Sequence, residues 1–234
     1  MSLNPTEIIV PNNQVPADMA AAIGEAISTV TGWSKDGDYI IMDTAGRYKL
    51  KIAAPSEIQF TPYFNTNTAM PYYYTAVTRV TPLPSSYAVG VYKSINGTVT
   101  ELYVHAITAV TATPVVKDLT LLYVLNANGE PSLITRSNGV LGSVSFGTAE
   151  LGTYLTLNPD PIVGELYKYA ITKYADPING AVYPELYSVI GARRSTLLGE
   201  NVSFSGRIFR ITDVTMNYRA TTPDTNLYAY PVSE

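Results

Sequence analysis

Apolar residues Met19, Ile23, Ile27 and Val30 recur at intervals of four, four and three, which places them on one face of a helix. Ala20, Ala21 and Ala22 add helix propensity, Pro16 suits a first turn and Gly32 suits a stop, so the pattern predicts an amphipathic helix over 16–30. Its apolar stripe requires cover, either by the chain's own sheet or by a neighbouring subunit. Ahead of it, residues 1–15 read as extended, with Pro5 and Pro11 bracketing the strand-prone Ile8-Ile9-Val10. After Trp33 the period shortens to two. Tyr48, Leu50 and Ile52 alternate with Arg47, Lys49 and Lys51, giving a strand with one apolar and one basic face. Residues 39–43 form the other arm of a hairpin closed by Thr44-Ala45-Gly46. The Pro- and Asn-bearing stretch 60–71 reads as a loop and a candidate boundary.

From 72 to 156 the pattern predicts strand after strand. Asn96-Gly97 is the strongest hairpin signal in the chain, and Asn126-Ala127-Asn128-Gly129 marks another turn. Short strands at this spacing point to a sandwich or barrel rather than a parallel α/β sheet. The last third is mixed. Residues 164–174 fit a helix through Leu166, Ala170 and Tyr174, or a strand through Tyr167, Tyr169 and Ile171. Residues 184–194 read as a helix, with Pro184 in the first turn, Glu185 beside it, and Arg193 and Arg194 near the end. Residues 202–217 read as one or two strands, and the tail from 220 as extended. The fold class predicted is mostly β: an antiparallel sandwich or barrel-like body over 56–160, preceded by an N-terminal extension, helix and hairpin over 1–55. A small α+β segment with an extended C-terminal tail follows over 161–234.

Composition narrows the function. A chain of 234 residues makes one large or two small domains and can bury a core without disulfides or structural metal. Lys plus Arg (15) less Asp plus Glu (19) gives a net charge of −4. Such a balance argues against a nucleic-acid partner, which needs a basic face to neutralise phosphates. The absence of Cys removes thiol nucleophiles, zinc–thiolate sites and iron–sulfur clusters, while leaving the redox compartment open, and a single His excludes a multi-histidine metal site. The N-terminus lacks the basic-then-apolar pattern of a secretory signal, and no apolar run reaches the roughly 18 residues of a membrane span, so no membrane partner is expected. Nineteen Tyr stand against five Phe and one Trp. Tyr fills strand positions, and it is also enriched on surfaces that partners bury.

Several strings resemble chemistry and each has a plainer reading. Asp43-Thr44-Ala45-Gly46 after a strand is similar to the D-T-A-G segment of Ras-like GTPases, but no G-x-x-x-x-G-K-[ST] phosphate loop accompanies it, and a hairpin turn explains Gly46 as well. The same Asp-Thr approaches the D-T-G of aspartic proteases, with Ala45 intervening and no second copy. His105 falls mid-strand with no G-x-S-x-G elbow to serve. Asp36-Gly37-Asp38 has oxygen ligands for calcium but lacks the twelve-residue loop with its closing Glu. Asp36, Asp43 and Asp213 are too scattered to suggest a carboxylate-based hydrolase. No catalytic residue, cofactor or metal site is expected.

Tyr72-Tyr73-Tyr74, with Tyr63 and Phe64 upstream, is the feature hardest to read as core, because consecutive strand residues alternate faces and at least one ring must point outward. Such rings anchor interfaces or stack on sugars. The candidate interface residues are therefore Tyr72, Tyr73, Tyr74 and Tyr63, joined by Met19, Ile23 and Ile27 if the helix packs on a neighbour. Residues 181–191, Ala-Val-Tyr-Pro-Glu-Leu-Tyr-Ser-Val-Ile-Gly, followed by 205–210, Ser-Gly-Arg-Ile-Phe-Arg, resemble the collar domain of bacteriophage tail fibres, which pairs a YPxLFxxIG helix with an LPDLRGRF strand. No functional residue is carried over from it. The resemblance implies a non-enzymatic structural component of a tailed-phage virion, in tail, baseplate or neck, assembled in the host cytoplasm. Its partners would be copies of itself and other virion proteins, bound through tyrosine-rich low-charge surfaces and terminal arms. A capsid decoration protein, or a fibre module recognising a receptor or host-surface glycan through Tyr63, Tyr72 and Tyr74, are the alternatives.

Overall fold

The helix forms where the four-residue spacing places it. In the computed structural model, α1 spans Pro16–Thr31, starts on Pro16 and stops at Gly32, whose φ of 80° is left-handed and whose N–H donates to the Ser28 carbonyl. The Lys93 ammonium also donates to the Thr31 carbonyl at the helix C-terminus, where a cation is favoured. The structure describes residues 4–11, 15–54, 58–64, 68–69, 76–78, 86–107, 119–137, 150–155, 169–175, 181–191, 199–204, 206–215 and 227–233.

Strand β1 (Thr6–Pro11) precedes α1. An N-terminal sheet follows it, made of β2 (Ser34–Asp36), β3 (Tyr39–Ile41), β4 (Tyr48–Ala53), β5 (Ile58–Phe64), β6 (Thr68–Ala69) and β7 (Ala76–Thr78). Strands β8 (Ser86–Lys93), β9 (Val99–Ile107), β10 (Leu119–Leu125) and β11 (Pro131–Ser137) build a central sheet whose outer member is β1, in the order β1-β8-β9-β10-β11. A C-terminal sheet contains β12 (Glu150–Leu155), β13 (Tyr169–Ala175), β14 (Val182–Gly191), β15 (Asn201–Phe204), β16 (Arg207–Thr215) and β17 (Leu227–Ser233), in the order β12-β13-β14-β17-β16-β15. Every pairing is antiparallel. The protein is mostly β; the described residues form three antiparallel sheets and one N-terminal helix.

Alternation along β9 makes the central sheet the middle layer. Leu102 and Val104 enter a core shared with Met19, Ile23 and Ile27 of α1 and with Ile40, Leu50 and Phe60 of the N-terminal sheet. Val99, on the opposite face, joins Leu122 and Val124 against Tyr183, Leu186, Tyr228 and Tyr230 of the C-terminal sheet. Complete burial of side chains such as Ile23, Leu50 and Phe60 contributes about 1.5–3 kcal/mol each, so these two cores hold the layers together.

Two expectations are corrected and one left open is decided. The helix expected over 184–194 is strand β14 as far as residue 191, and residues 192–194 lie outside the described ones. Pro184 is accommodated because the β13–β14 register shifts there, between the Lys173↔Tyr187 and Ala175↔Val182 pairs, while β17 begins pairing only at Tyr187. The YPxLFxxIG-like segment is thus extended in this chain. The loop expected over 60–71 begins as strand β5, and Pro62 sits in the gap between the residues paired to β7 and those paired to β6. Of the ambiguous 164–174, residues 169–174 belong to strand β13, and 164–168 lie outside the described residues.

Both extended arms form strands of the chain's own sheets. β17 runs between β14 and β16, whereas β1 is paired on one side, to β8.

Candidate functional site

The expected motifs resolve into turns and packing. Asp43 accepts from the Tyr48 N–H at 3.0 Å and from Arg47 Nε at 3.2 Å, and its carbonyl accepts from Gly46, whose φ is 65°. The Asp43-Thr44-Ala45-Gly46 string is therefore a side-chain-braced hairpin turn. Gly37, between Asp36 and Asp38, likewise takes a positive φ in the β2–β3 turn. Gly97 and Gly129 do the same, and Asn126 Oδ1 accepts from the N–H groups of Asn128 and Glu130 to close its turn. His105 stacks on Tyr103, with ring centroids 5.8 Å apart. Asp213 lies on β16, far along the chain from these turns. Among the described residues no group of three or more His, Asp or Glu is placed to hold a metal ion.

Of the expected interface residues, Tyr72, Tyr73 and Tyr74 lie outside the described residues. Met19, Ile23 and Ile27 are at most 1% exposed and pack against the chain's own strands. The apolar stripe is consumed between two sheets, which leaves none of the three for a neighbouring subunit. Tyr63 is half-buried on the outward side of β5.

Sequence reasoning missed a polar seam between the central and C-terminal sheets. Glu101 is fully buried, and Arg210 donates to it twice, Nε to Oε2 at 2.8 Å and Nη2 to Oε1 at 3.3 Å. The Tyr230 hydroxyl donates to the same Oε2 at 2.7 Å, and Arg210 Nη1 donates to the Gly199 carbonyl. The guanidinium carbon lies 3.5 Å from the Tyr92 ring centroid. Burial alone would favour the neutral guanidine, but the Glu101 carboxylate outweighs it and holds Arg210 above its ordinary value. Burial, then the Glu101 charge, pushes the Tyr230 phenol well up. Glu185 caps the β8–β9 turn, accepting from the Ser94 and Thr98 hydroxyls and from the Asn96 and Thr98 N–H groups. Glu185 lies 87 to 91 positions from its donors, and Glu101 lies 109 from Arg210 and 129 from Tyr230, so no local pattern signals them. The side chains of Glu101, Arg210, Tyr230 and Glu185 are each hydrogen-bonded inside the seam, as a structural joint between sheets requires.

What remains open to solvent is the candidate site. On the N-terminal sheet the inward residues Ile40, Leu50, Ile52 and Phe60 are buried, and the outward ones, Tyr39, Lys49, Lys51, Gln59, Thr61 and Tyr63, are half-buried. Registers place Tyr39 opposite Lys51 and Lys49 opposite Tyr63. The Tyr39 and Tyr63 rings meet edge to face across β4 at 5.8 Å, and the Lys49 and Lys51 ammoniums each lie 5.7 Å from the Tyr39 centroid. On the inward side of the same sheet a cleft of about 660 Å³ opens against α1. Ala17, Ala21 and Gly24 form one wall, and Asp38, Ile40, Lys51, Ile52 and Gln59 belong to the other. Gly24 leaves room for Lys35 to cross, since a Cβ there would sit 3.1 Å from Lys35 Cε. Lys35 pairs with Glu25 at 3.0 Å.

The second open feature is the edge of the central sheet. β1 has no partner beyond β8 among the described residues, and Ile9 is 51% exposed. Its charged residue, Glu7, is engaged by the Tyr103 hydroxyl, which reaches it across Gly90. No family model matches this sequence, and no curated protein and no solved structure resembles it significantly.

Proposed function

We propose that this chain is a non-enzymatic structural component of a tailed-phage virion that works by self-association. The observation that carries the self-association is the outer edge of β1, a six-residue strand with no partner beyond β8 among the described residues, with Ile9 exposed and its one charge, Glu7, held by the Tyr103 hydroxyl. Sheet edges that are neither covered nor charged template pairing with another chain. Pairing of β1 with β1 of a second copy about a two-fold axis would join two five-stranded sheets into one, an isologous contact. The low charge of the chain limits desolvation on closing such a contact. The virion assignment draws on the cysteine-free, Tyr- and Thr-rich composition and on the sequence likeness at 181–191 and 205–210, of which the first part is a strand here where the tail-fibre family has a helix.

Light scattering across a concentration series tests the association. The wild-type chain is expected to exceed the monomer mass of 25.4 kDa with rising concentration, and Ile9→Lys to return it to that mass without loss of the strand circular dichroism signal. A wild-type chain that stays monomeric throughout, or an assembly indifferent to Ile9→Lys, overturns the reading. Mass spectrometry of purified virions tests the particle assignment.

A further inference from the structure

On the footing of the β1–β1 contact proposed above, we infer that Tyr103 is a positioning residue for that contact. Its hydroxyl draws the Glu7 carboxylate back over the sheet, so that the open edge of β1 meets an identical edge without charge against charge. A row of three residues across the central sheet builds this device: Glu7 of β1 is paired with Gly90 of β8, and Gly90 with Tyr103 of β9. Residues paired in this way project from the same side of a sheet. The Tyr103 ring crosses the bare backbone of Gly90, where a Cβ would stand 2.2 Å from its Cζ and Oη atoms, and the hydroxyl donates to Glu7 Oε2. Glycine inside a strand weakens it and marks a place where another group approaches closely. The ring itself is fixed, 3% exposed and flanked by Tyr92 and His105, each with its centroid 5.8 Å away. Burial, then the bond to Glu7, holds the phenol well above its ordinary value, so it stays a donor.

The partner follows from the charge. Glu7 is the one ionisable side chain of β1, whose other residues are Thr6, Ile8, Ile9, Val10 and Pro11. Charged side chains on an edge strand are a common guard against pairing. A partner of different sequence can answer Glu7 with a cation, whereas an identical strand brings a second Glu7 into the same ladder. Like charges facing one another there oppose pairing. Withdrawing the carboxylate is therefore what a second copy of this chain requires. The bond to Tyr103 also orders the Glu7 side chain before the contact forms, which lowers the entropy lost on closing it. Ile9, 51% exposed, then remains as the large apolar side chain that β1 offers the second copy. Glu7 is exposed in the free chain, so water solvates it when the bond is broken, and the bond is dispensable for folding.

Light scattering of the full chain across a concentration series, with variants at both ends of the bond, tests this. Tyr103→Phe keeps the ring and deletes the donor. Glu7→Asp keeps the charge on a stem one methylene shorter, which withdraws it from the hydroxyl, and as a change at an exposed position it leaves the fold intact. Each is expected to raise the dissociation constant of the assembly about tenfold or more. Glu7→Gln keeps an acceptor without the charge and is expected to associate at least as tightly as the wild type. Added to Tyr103→Phe, it is expected to restore the wild-type constant, which loss of a merely structural ring contact would not allow. Association indifferent to either Tyr103→Phe or Glu7→Asp, or a Tyr103→Phe defect that Glu7→Gln does not relieve, overturns the inference. Wild-type assembly lost in Ile9→Lys would in those cases leave the self-association standing, whereas a wild-type chain that is monomeric throughout removes both.

Discussion

Arg210→Met is the substitution whose effect the structure constrains most closely. Arg210 is 3% exposed and its guanidinium makes two hydrogen bonds to Glu101, one to the Gly199 carbonyl and a stacking contact with Tyr92. Met fills a similar volume but leaves the Glu101 carboxylate, itself 0% exposed, with Tyr230 as its remaining donor in the seam. Breaking a buried pair from one side costs about 3–5 kcal/mol, because the orphaned charge has no solvent. Against a total stability of about 5–15 kcal/mol, that is a large fraction. Replacing both partners, Glu101→Leu with Arg210→Met, removes the charge itself and leaves only the Tyr230 hydroxyl and the Gly199 carbonyl short of partners. The double variant is therefore expected to be more stable than Arg210→Met alone by about 2 kcal/mol. Urea unfolding at neutral pH, comparing midpoints at constant m-value, measures the cycle. Salt is not expected to alter the wild-type term, because a pair this buried is not screened. A cost below about 1 kcal/mol for Arg210→Met, or additivity of the two single substitutions, refutes the reasoning.

Gly90→Ala would set a Cβ 2.2 Å from the Tyr103 ring and hydroxyl, so the ring must leave its place over the strand and release Glu7. The expected loss is about 1–3 kcal/mol by thermal unfolding, and close to zero when the same change is made in a Tyr103→Ala background; no loss in the wild-type chain, or an equal loss in that background, contradicts the close approach. Alkaline pH should destabilise the fold. Burial, together with neighbouring charges, pushes Tyr48 and Tyr123 up to about 12, while an unfolded tyrosine ionises near 10. The folded state therefore keeps protons that the unfolded state releases, and stability present below about pH 10 is lost progressively as pH rises towards 12. Phenolate absorbance should show part of the nineteen tyrosines ionising only with unfolding. Complete ionisation near pH 10 with native circular dichroism retained would contradict it.

The sequence alone determined what is local. A four-residue spacing closed by Gly32 specifies α1, and the alternation of Tyr48, Leu50 and Ile52 with basic residues specifies which face of β4 is buried. Asn96-Gly97, Gly46 and Asn126–Gly129 specify turns, because positive φ angles and short side-chain hydrogen bonds are decided within a few residues. Tertiary structure decided what depends on neighbours distant in sequence. Pro184 and Glu185 read as a helix start, yet Tyr183, Glu185, Leu186 and Tyr187 are all buried between sheets, and burial on both faces of a strand erases the two-residue period. Pro62 and Pro184 fit strands because the partner strands leave gaps opposite them, which nothing local can announce. Met19, Ile23 and Ile27 were legible as one face, but only the presence of a sheet on each side of α1 assigns that face to the chain's own core. The same holds for chemistry. Lys49 and Lys51 were legible as one outward strand face, whereas the meeting of Tyr39 with Tyr63 across β4 is set by strand register. Glu101 and Arg210 are charges in apolar runs until folding brings them within 2.8 Å, where their attraction offsets the cost of taking each out of water.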